Sequence, residues 1–412
     1  MSDLDVAVIG AGAAGLAAAK TLVARGFAVQ VVEARDRIGG RAHTDRSQYG
    51  VPIDLGCGWL HSADVNPFRA IGAALGFTIV EREPAWGRQR RIGRLSRAET
   101  AAIEQTIKEG LDAIVAAGEG GLDIAASEVL PEHAPGRPLL DAIISWIYGA
   151  DPARVSTLDG ARYRDTGHNW PVVEGYGALV EAHAGELPIR LSTPALAIDW
   201  KGRGVRIETR AGTLAARTAV VALPTGVLAD GSLRFEPALP AAKLSAIEHL
   251  PLGVADKVFF RLSDKALDLP EESFTRARHD TSRTSSIQIR PFGRDIVGCY
   301  FGGSYARELE ETGTLVEAAE NDLVHALGSG IRRHLSAPKA TAWYLDPHAR
   351  GSYSVALPGH AHRRADLALP LADRLFFAGE ACSPDFFSTC HGAHLSGIAT
   401  ASAVAEALKQ PA

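Results

Sequence analysis

The chain is poor in sulfur: its 412 residues include four cysteines and one methionine. Cys57, Cys299, Cys382 and Cys390 form no C-x-x-C pair and keep no His/Cys spacing of the zinc type, which argues against a disulfide framework and against a structural metal. No apolar run reaches the roughly 18 residues a spanning helix needs. The opening stretch, MSDLDVAVIG, enters an apolar strand without room for a basic region and a cleavage site. Basic charge is not in surplus either. The net charge is -5, whereas binding to phosphate backbones calls for a basic surface. Internal repeats and low-complexity linkers are absent, so any domains are interleaved rather than strung out. These absences lead us to expect a soluble cytoplasmic protein, monomeric or homodimeric, with no metal, no membrane and no nucleic acid among its partners.

What is present is an ordinary globular composition, 46% hydrophobic, long enough for two or three domains at roughly 150 residues each. Residues 4–33 read as a strand, a glycine turn, an alanine-rich helix and a second strand, the βαβ unit of a doubly wound sheet. From about 96 to 150 apolar residues recur at three and four spacing, with the breaker LPEHAPGRP between two helical stretches. Short strands return in PIRLSTPALAIDW and VRIETRAGTLAARTAVVALP, and again over 254–305. The last stretch, from RLFFAGEACS onward, reads as a buried strand, a loop and a long closing helix whose N-terminus follows Gly392.

VIGAGAAG supplies Gly10, Gly12 and Gly15 in G-x-G-x-x-G spacing, directly after a strand and opening a helix. The first glycine permits a tight turn, the second lets backbone approach a pyrophosphate, the third packs helix on strand, and the helix N-terminus favours the anion. Glu33 closes the second strand eighteen residues after Gly15, where a carboxylate can accept hydrogen bonds from ribose hydroxyls and would repel a 2′-phosphate. This motif by itself leaves NAD and FAD open.

The continuation EARDRIGGRAHT, with Arg35, Gly39, Gly40 and Arg41, resembles the amine-oxidase branch of FAD-dependent flavoproteins. Five further segments are similar to flavin monoamine and polyamine oxidases, in the same order along the chain: PIDLGCGWLHSADVNP, VVEGYGALVEAHAGELPIRLSTPALAIDW, AVVALPTGVL with LPLGVADKVFFRL, WYLDPHARGSYSVALPG, and FAGEACSPDFFSTCHGAHLSG. The last is close to the polyamine-oxidase form of the C-terminal motif.

This resemblance implies an α/β fold: a Rossmann-like FAD-binding domain, with an interleaved α+β substrate domain of mixed sheet and helices. The FAD-binding domain would be discontinuous over 1–80, 175–253 and 356–412, and the substrate domain would take 81–174 and 254–355. It also implies roles for particular residues. Arg41 would approach the phosphates and Arg35 the adenosine end, a surface salt bridge being the plain alternative for Arg35. Gly58 and Trp59 would lie beside the flavin ring and His61 in the substrate cavity, although Ser62 replaces the family's glycine after that histidine. Ala195 would clasp adenine through its backbone. Glu380 would bond the ribityl chain, Thr389 and Cys390 would lie at the flavin edge, and Ala14, Gly379 and Ala393 complete the expected cofactor contacts. Lys257 would hold a water against flavin N5, and Tyr353 would form one wall of an aromatic cage. Thr389 joins Lys257, Tyr353 and His61 as a catalytic candidate. Ser352 stands where the monoamine branch has the cysteine that links the flavin covalently, so FAD is expected to be non-covalent.

The implied reaction takes a hydride from the α-carbon of a neutral amine to flavin N5, leaving an imine that hydrolyses to an aldehyde while dioxygen becomes hydrogen peroxide. Polyamines are the expected substrates. An L-amino-acid oxidase or a flavin-dependent desaturase or dehydrogenase on the same fold is the alternative, the former requiring a cavity arginine to pair with the substrate carboxylate.

Simple alternation in GVADKVFFRL puts Val254, Val258, Phe260 and Leu262 on one side and Lys257 with Arg261 on the other. On pattern alone that side would be solvent; in the resembled fold it would be the flavin cavity. Arg82, Arg88, Arg90, Arg91, Arg94 and Arg97 form a basic run best read as a solvated loop. For Trp86, Trp146, Tyr148, Tyr300 and Phe301, core packing is the default and cavity lining the alternative. His391 is read equally well as a helix-start residue or as a substrate contact.

Overall fold

A computed structural model of the chain describes residues 4–82, 86, 95–263 and 272–409. Arg88, Arg90, Arg91 and Arg94 of the basic run lie outside the described residues.

The first strand, Val6–Ile9, is apolar and buried along its whole length, as a central parallel strand covered on both faces must be. It pairs in parallel with Val29–Val32 on one side and Thr218–Val221 on the other. The sheet is completed by Ile189–Arg190 and by Leu375–Phe377 at its two edges. Strand order therefore reverses at Val6–Ile9, and the crevice beyond its C-terminal end is where such sheets bind ligands. The turn that fills this crevice needs its glycines. Gly10 has φ +101°, and a Cβ on Gly15 would come 1.9 Å from Gly10 O, so the helix Ala13–Ala24 can start against the strand only without that atom.

A small sheet holds Ala195–Asp199, Val205–Thr209 and Gly212–Ala216 in antiparallel order, with Arg234–Glu236 added in parallel. The helical layer consists mainly of Arg97–Glu119, opened by a Ser96/Glu99 capping box, together with Arg137–Tyr148 and Thr157–Arg162. Their apolar faces meet in a core that includes Ile107, Ile114, Leu139, Leu140 and Ile144.

The strand Ala255–Leu262 lies within a five-stranded antiparallel sheet, between Ile296–Gly302 and Leu335–Ala340, with Ser286–Ile289 and Ser273–Arg276 beyond. The two faces of this sheet differ in kind. Val258, Phe260 and Leu262, with Ile287, Ile289, Val297 and Phe301 of the neighbouring strands, pack against the helices Gly303–Thr312 and Leu315–Leu327. The opposite face carries Lys257 and Phe259, and Phe259 packs with Ile53, Leu55 and Trp343. The lysine therefore points into the protein, toward the segment that precedes Trp59. Phe301 is a core residue of the helix-covered face, fully buried.

One boundary differs from expectation. The closing helix spans Cys390–Lys409 and so begins before Gly392. Thr389 Oγ1 accepts the Gly392 N–H at 3.0 Å, which is the capping bond that fixes the earlier start.

Candidate active site

Around the glycine turn, the backbone leaves room where a dinucleotide would lie. A Cβ added to Gly12 or to Gly379 would meet nothing within 4 Å. The helix Ala13–Ala24 has no side-chain cap at Gly12, so its first N–H groups face that space. Ala14 is in its first turn, and Gly39 donates its N–H to Ala11 O at 2.8 Å, laying the Gly39–Gly40 pair against the turn. Glu33 accepts from Ala11 N at 2.7 Å and from Arg35 N at 2.8 Å, which holds its carboxylate at the end of the second strand with lone pairs to spare. Thr193 N donates to Glu33 O, bringing the approach to Ala195 alongside. Turn, helix end and acidic residue together fit the adenylate and pyrophosphate of a dinucleotide such as FAD.

Arg35 pairs with Asp346 at 2.8 Å, so the salt-bridge reading of this residue has its geometry. Arg41 donates to Glu380 Oε1 at 2.9 Å and to Ser352 O at 2.8 Å. Glu380 also accepts from Ser354 N, Ser354 Oγ and Ser388 N. Ser354 Oγ in turn accepts from Arg364, whose guanidinium forks onto both oxygens of Asp159 at 2.7 Å, with both side chains buried. Burial pushes the Glu380 carboxyl up, but Arg41, the Ser354 hydroxyl and Arg364 outweigh it and hold the group below its ordinary value.

Lys257 Nζ donates to Gly56 O at 2.6 Å and to Asp54 O at 2.9 Å. An ammonium has three donors, so one remains. Gly58 is immediately beside it: a Cβ there would lie 3.6 Å from Lys257 Nζ. Burial lowers the Lys257 pKa from its ordinary value, with Asp54 and Cys57 acting against the shift. Trp59 packs edge-on against Trp86, ring centroids 4.5 Å apart, and lies 6.2 Å from Phe274.

His61 Nδ1 meets Asn169 Oδ1 at 2.5 Å, and burial lowers its pKa, which keeps the imidazole neutral. Ser62 follows His61 in the loop where the family has glycine. Ser62 keeps a left-handed backbone, φ 47°, while its buried hydroxyl donates to Arg164 O at 2.9 Å. That bond offsets a conformational cost of about 1–2 kcal/mol.

Tyr353 and Tyr300 meet hydroxyl to hydroxyl at 2.8 Å, and Tyr353 OH donates to Trp146 O at 2.6 Å. Burial raises both phenols, Tyr300 to about 12, so both are neutral. Ser352 Oγ donates to Ala255 O and accepts from Ala255 N, each at 2.8 Å, and thereby ties this turn to the Lys257 strand. Thr389 donates its hydroxyl to Phe386 O while capping the closing helix, and Cys390, the first residue of that helix, raises the Cys57 thiol well above its ordinary value, with burial adding to the shift. His391 is buried with Nε2 unpartnered among the described residues, and is pushed down to about 3 by burial, with His61 and His394 adding to the shift. Ala393 lies in the first turn of the same helix.

Several residues of this arrangement carry no sequence signal. Asn169, Asp159 and Arg364 belong to no motif, and only contact in three dimensions reveals them. Tyr300 is visible in the sequence as an aromatic in a strand; its pairing with Lys257 becomes legible only once the register is known.

A glycine turn at the switch point of a parallel sheet, joined to a lysine-bearing antiparallel sheet, is the arrangement of a dinucleotide-binding protein with a second, site-forming layer. Comparisons with known proteins define it more closely. The model of the flavin containing amine oxidoreductase family matches residues 13–87 and 133–405, and the chain belongs to that family. It is 30% identical to polyamine oxidase 4 of Oryza sativa subsp. japonica, over 97% of this chain and 88% of that protein. It is equally identical to polyamine oxidase 2 of Arabidopsis thaliana, over 96% and 87% respectively. Cyclohexylamine oxidase from Brevibacterium oxydans IH-35A shares the fold, with a TM-score of 0.79 at 23% identity over 99% of this chain and all of that one. The protein is thus a flavin-dependent amine oxidoreductase of the polyamine-oxidase branch.

Because the Glu380 pKa is depressed in the folded state, its stabilising contribution is complete above the ordinary glutamate value of about 4.3 and is lost as pH falls through the lowered value. Glu380→Gln should lower stability at pH 6 by about 2 kcal/mol. The gap from wild type should close toward pH 3 in thermal unfolding followed across this range; a constant gap would remove Glu380 from the acid limb.

Proposed function

We propose that the protein oxidises an alkyl amine to an imine, which water converts to an aldehyde, using non-covalently bound FAD and dioxygen. The observation that carries this reading is Lys257, half-buried beside Gly58 with two of its three donors spent on Asp54 O and Gly56 O. FAD, when bound, would accept a hydride from the amine α-carbon and pass the electrons to dioxygen, releasing hydrogen peroxide. In this reading the third donor of Lys257 holds a water at the reacting edge, and the water stays in place because the ammonium cannot swing away. Tyr353, fixed by Trp146 O and Tyr300, presents its ring to the amine, with a cation-π contribution of about 0.5–2 kcal/mol on entry. Trp59 covers the cavity, and neutral His61, oriented by Asn169, accepts or donates one hydrogen bond to the substrate. Residues 1–80, 175–253 and 356–412 would form the FAD-binding domain and 81–174 with 254–355 the substrate domain. The parallel sheet draws all its strands from the first group and the antiparallel sheet all its strands from the second.

Polyamines and their derivatives are the first substrates to assay, since the relatives matched above are polyamine oxidases by name. Peroxide release should appear with at least one amine from a panel of spermine, spermidine, acetylated polyamines, putrescine and alkylamines. Its rate should rise from pH 7 toward 10 as bound amine loses a proton with an ordinary pKa of about 10.4; silence across the panel from yellow protein would overturn the reading.

Ser352 carries no thiol and spends its hydroxyl on Ala255. Acid precipitation should therefore leave the yellow chromophore in the supernatant, and a yellow pellet would refute non-covalent binding. Lys257→Met should retain FAD while slowing flavin reduction or reoxidation at least about tenfold, a barrier change of about 1.4 kcal/mol. Wild-type rates in stopped flow would reduce Lys257 to a structural tie.

A further inference from the structure

The register of the antiparallel sheet aligns four residues in one row across four strands. Lys257 is paired with Tyr300, Tyr300 with Ser286, and Ser286 with Arg276. Directly paired residues share a face, so all four project on the side opposite the helix-covered core. At the Lys257 end this face is closed by Ile53, Leu55 and Trp343 through Phe259. All four residues of the row, Lys257, Tyr300, Ser286 and Arg276, are half-buried. Phe274, two residues before Arg276 on the same strand and so on the same face, packs against Trp59 and Trp86. The row therefore runs from the lysine beside Gly58 to an arginine on the strand of Phe274, whose ring packs with Trp59 and Trp86.

Arg276 differs from the other arginines near the site. Arg35, Arg41 and Arg364 each sit on a carboxylate. Among the described residues Arg276 has no side-chain hydrogen bond or ion pair; its closest electrostatic partner is Glu104, an exposed residue of the helix Arg97–Glu119. Burial pulls its pKa down to about 10, with Glu104 opposing, so the guanidinium remains charged at neutral pH while losing hydration. A half-buried fork of this kind is the side chain best suited to take a carboxylate bidentately.

We propose that Arg276 forms a subsite for a carboxylate at the far end of the amine substrate, and that the enzyme selects amines bearing such a group over polycations. The proposal rests on the amine-oxidation reading and narrows its substrate class. It also separates this protein from an α-amino-acid oxidase. Three inter-strand steps of about 4.8 Å put the Arg276 backbone roughly 14 Å from that of Lys257. An α-carboxylate, one carbon from the reacting amine, belongs near the lysine end of the row. A carboxylate several methylenes away reaches the arginine end, with the Phe274, Trp59 and Trp86 rings beside the intervening chain.

The test compares aminohexanoate and aminooctanoate with hexylamine and octylamine, measuring kcat/KM by flavin reduction in the holoenzyme, and titrates octanoate alone against the flavin absorbance spectrum. In the wild type the amino carboxylate should be preferred over the matching alkylamine by at least about tenfold. Arg276→Met should bring that ratio near one, and Arg276→Lys, which keeps the charge without the fork, should give an intermediate ratio. Arg276→Glu should turn the preference toward spermine. Octanoate should perturb the wild-type flavin spectrum and bind Arg276→Met at least about tenfold more weakly. A wild-type ratio near one, or an unchanged ratio in flavin-replete Arg276→Met, would overturn the subsite. If no amine reduces the flavin while octanoate binding still depends on Arg276, amine oxidation fails and the anion subsite stands. If octanoate binds wild type and Arg276→Met alike, the subsite fails whatever the amines do.

Discussion

The buried charge network centred on Glu380 is the interaction on which the rest of the structure depends. Arg41, Glu380, Arg364 and Asp159 alternate in sign, and Ser354 bridges the middle. These residues come from the segment after the glycine pair, the C-terminal motif, the turn around Tyr353, the helix Arg363–Ala368 and the helical layer, so one network holds five stretches of chain together. Each charge taken alone would be costly to bury. Together they form a pair of pairs with their hydrogen bonds satisfied, and removal of one member leaves another uncompensated. Ser352 and Tyr353, two residues and one residue before Ser354, inherit their placement from it.

The second constraint is the two-sidedness of the antiparallel sheet. One face is largely apolar and sealed by helices, which fixes the register because a one-residue slip would drive Lys257 and Tyr300 into that core. With register fixed, the other face can carry polar residues at little risk to folding. Lys257, Tyr300, Ser286 and Arg276 are then placed at inter-strand spacings, and Tyr300 reaches Tyr353 while Lys257 reaches the carbonyls of Asp54 and Gly56. The proposed site is built on the face that stability leaves free.

Much of this is legible in the amino-acid sequence. The glycine turn, Glu33 and the parallel strands follow from local rules of backbone conformation and apolar patterning, and the motifs after them carry the family. Alternation places Lys257 opposite the apolar side of its strand. It cannot say what faces that side, because solvent and a cofactor cavity leave the same period-2 pattern. Arg35 is open between cofactor contact and salt bridge on sequence grounds, and its ion pair with Asp346, more than three hundred residues away, is a long-range fact. The helix start differs from expectation because Thr389 is recognisable as a cap only with its hydroxyl position in hand.

The sequence by itself determined which elements form, where the dinucleotide turn lies and which family chemistry the chain supports, since these depend on neighbours within a few residues or on motifs of fixed spacing. The tertiary structure decided the partners: that Ser62, in a left-handed turn, bonds to Arg164 O, that Tyr353 is held by Tyr300 and Trp146, and that Arg276 stands in the row of Lys257 with no carboxylate paired to it among the described residues. The reason is physical. Hydrogen bonds, ion pairs and strand register act over a few ångströms of space, and no pattern along the chain records which remote groups will meet within that distance.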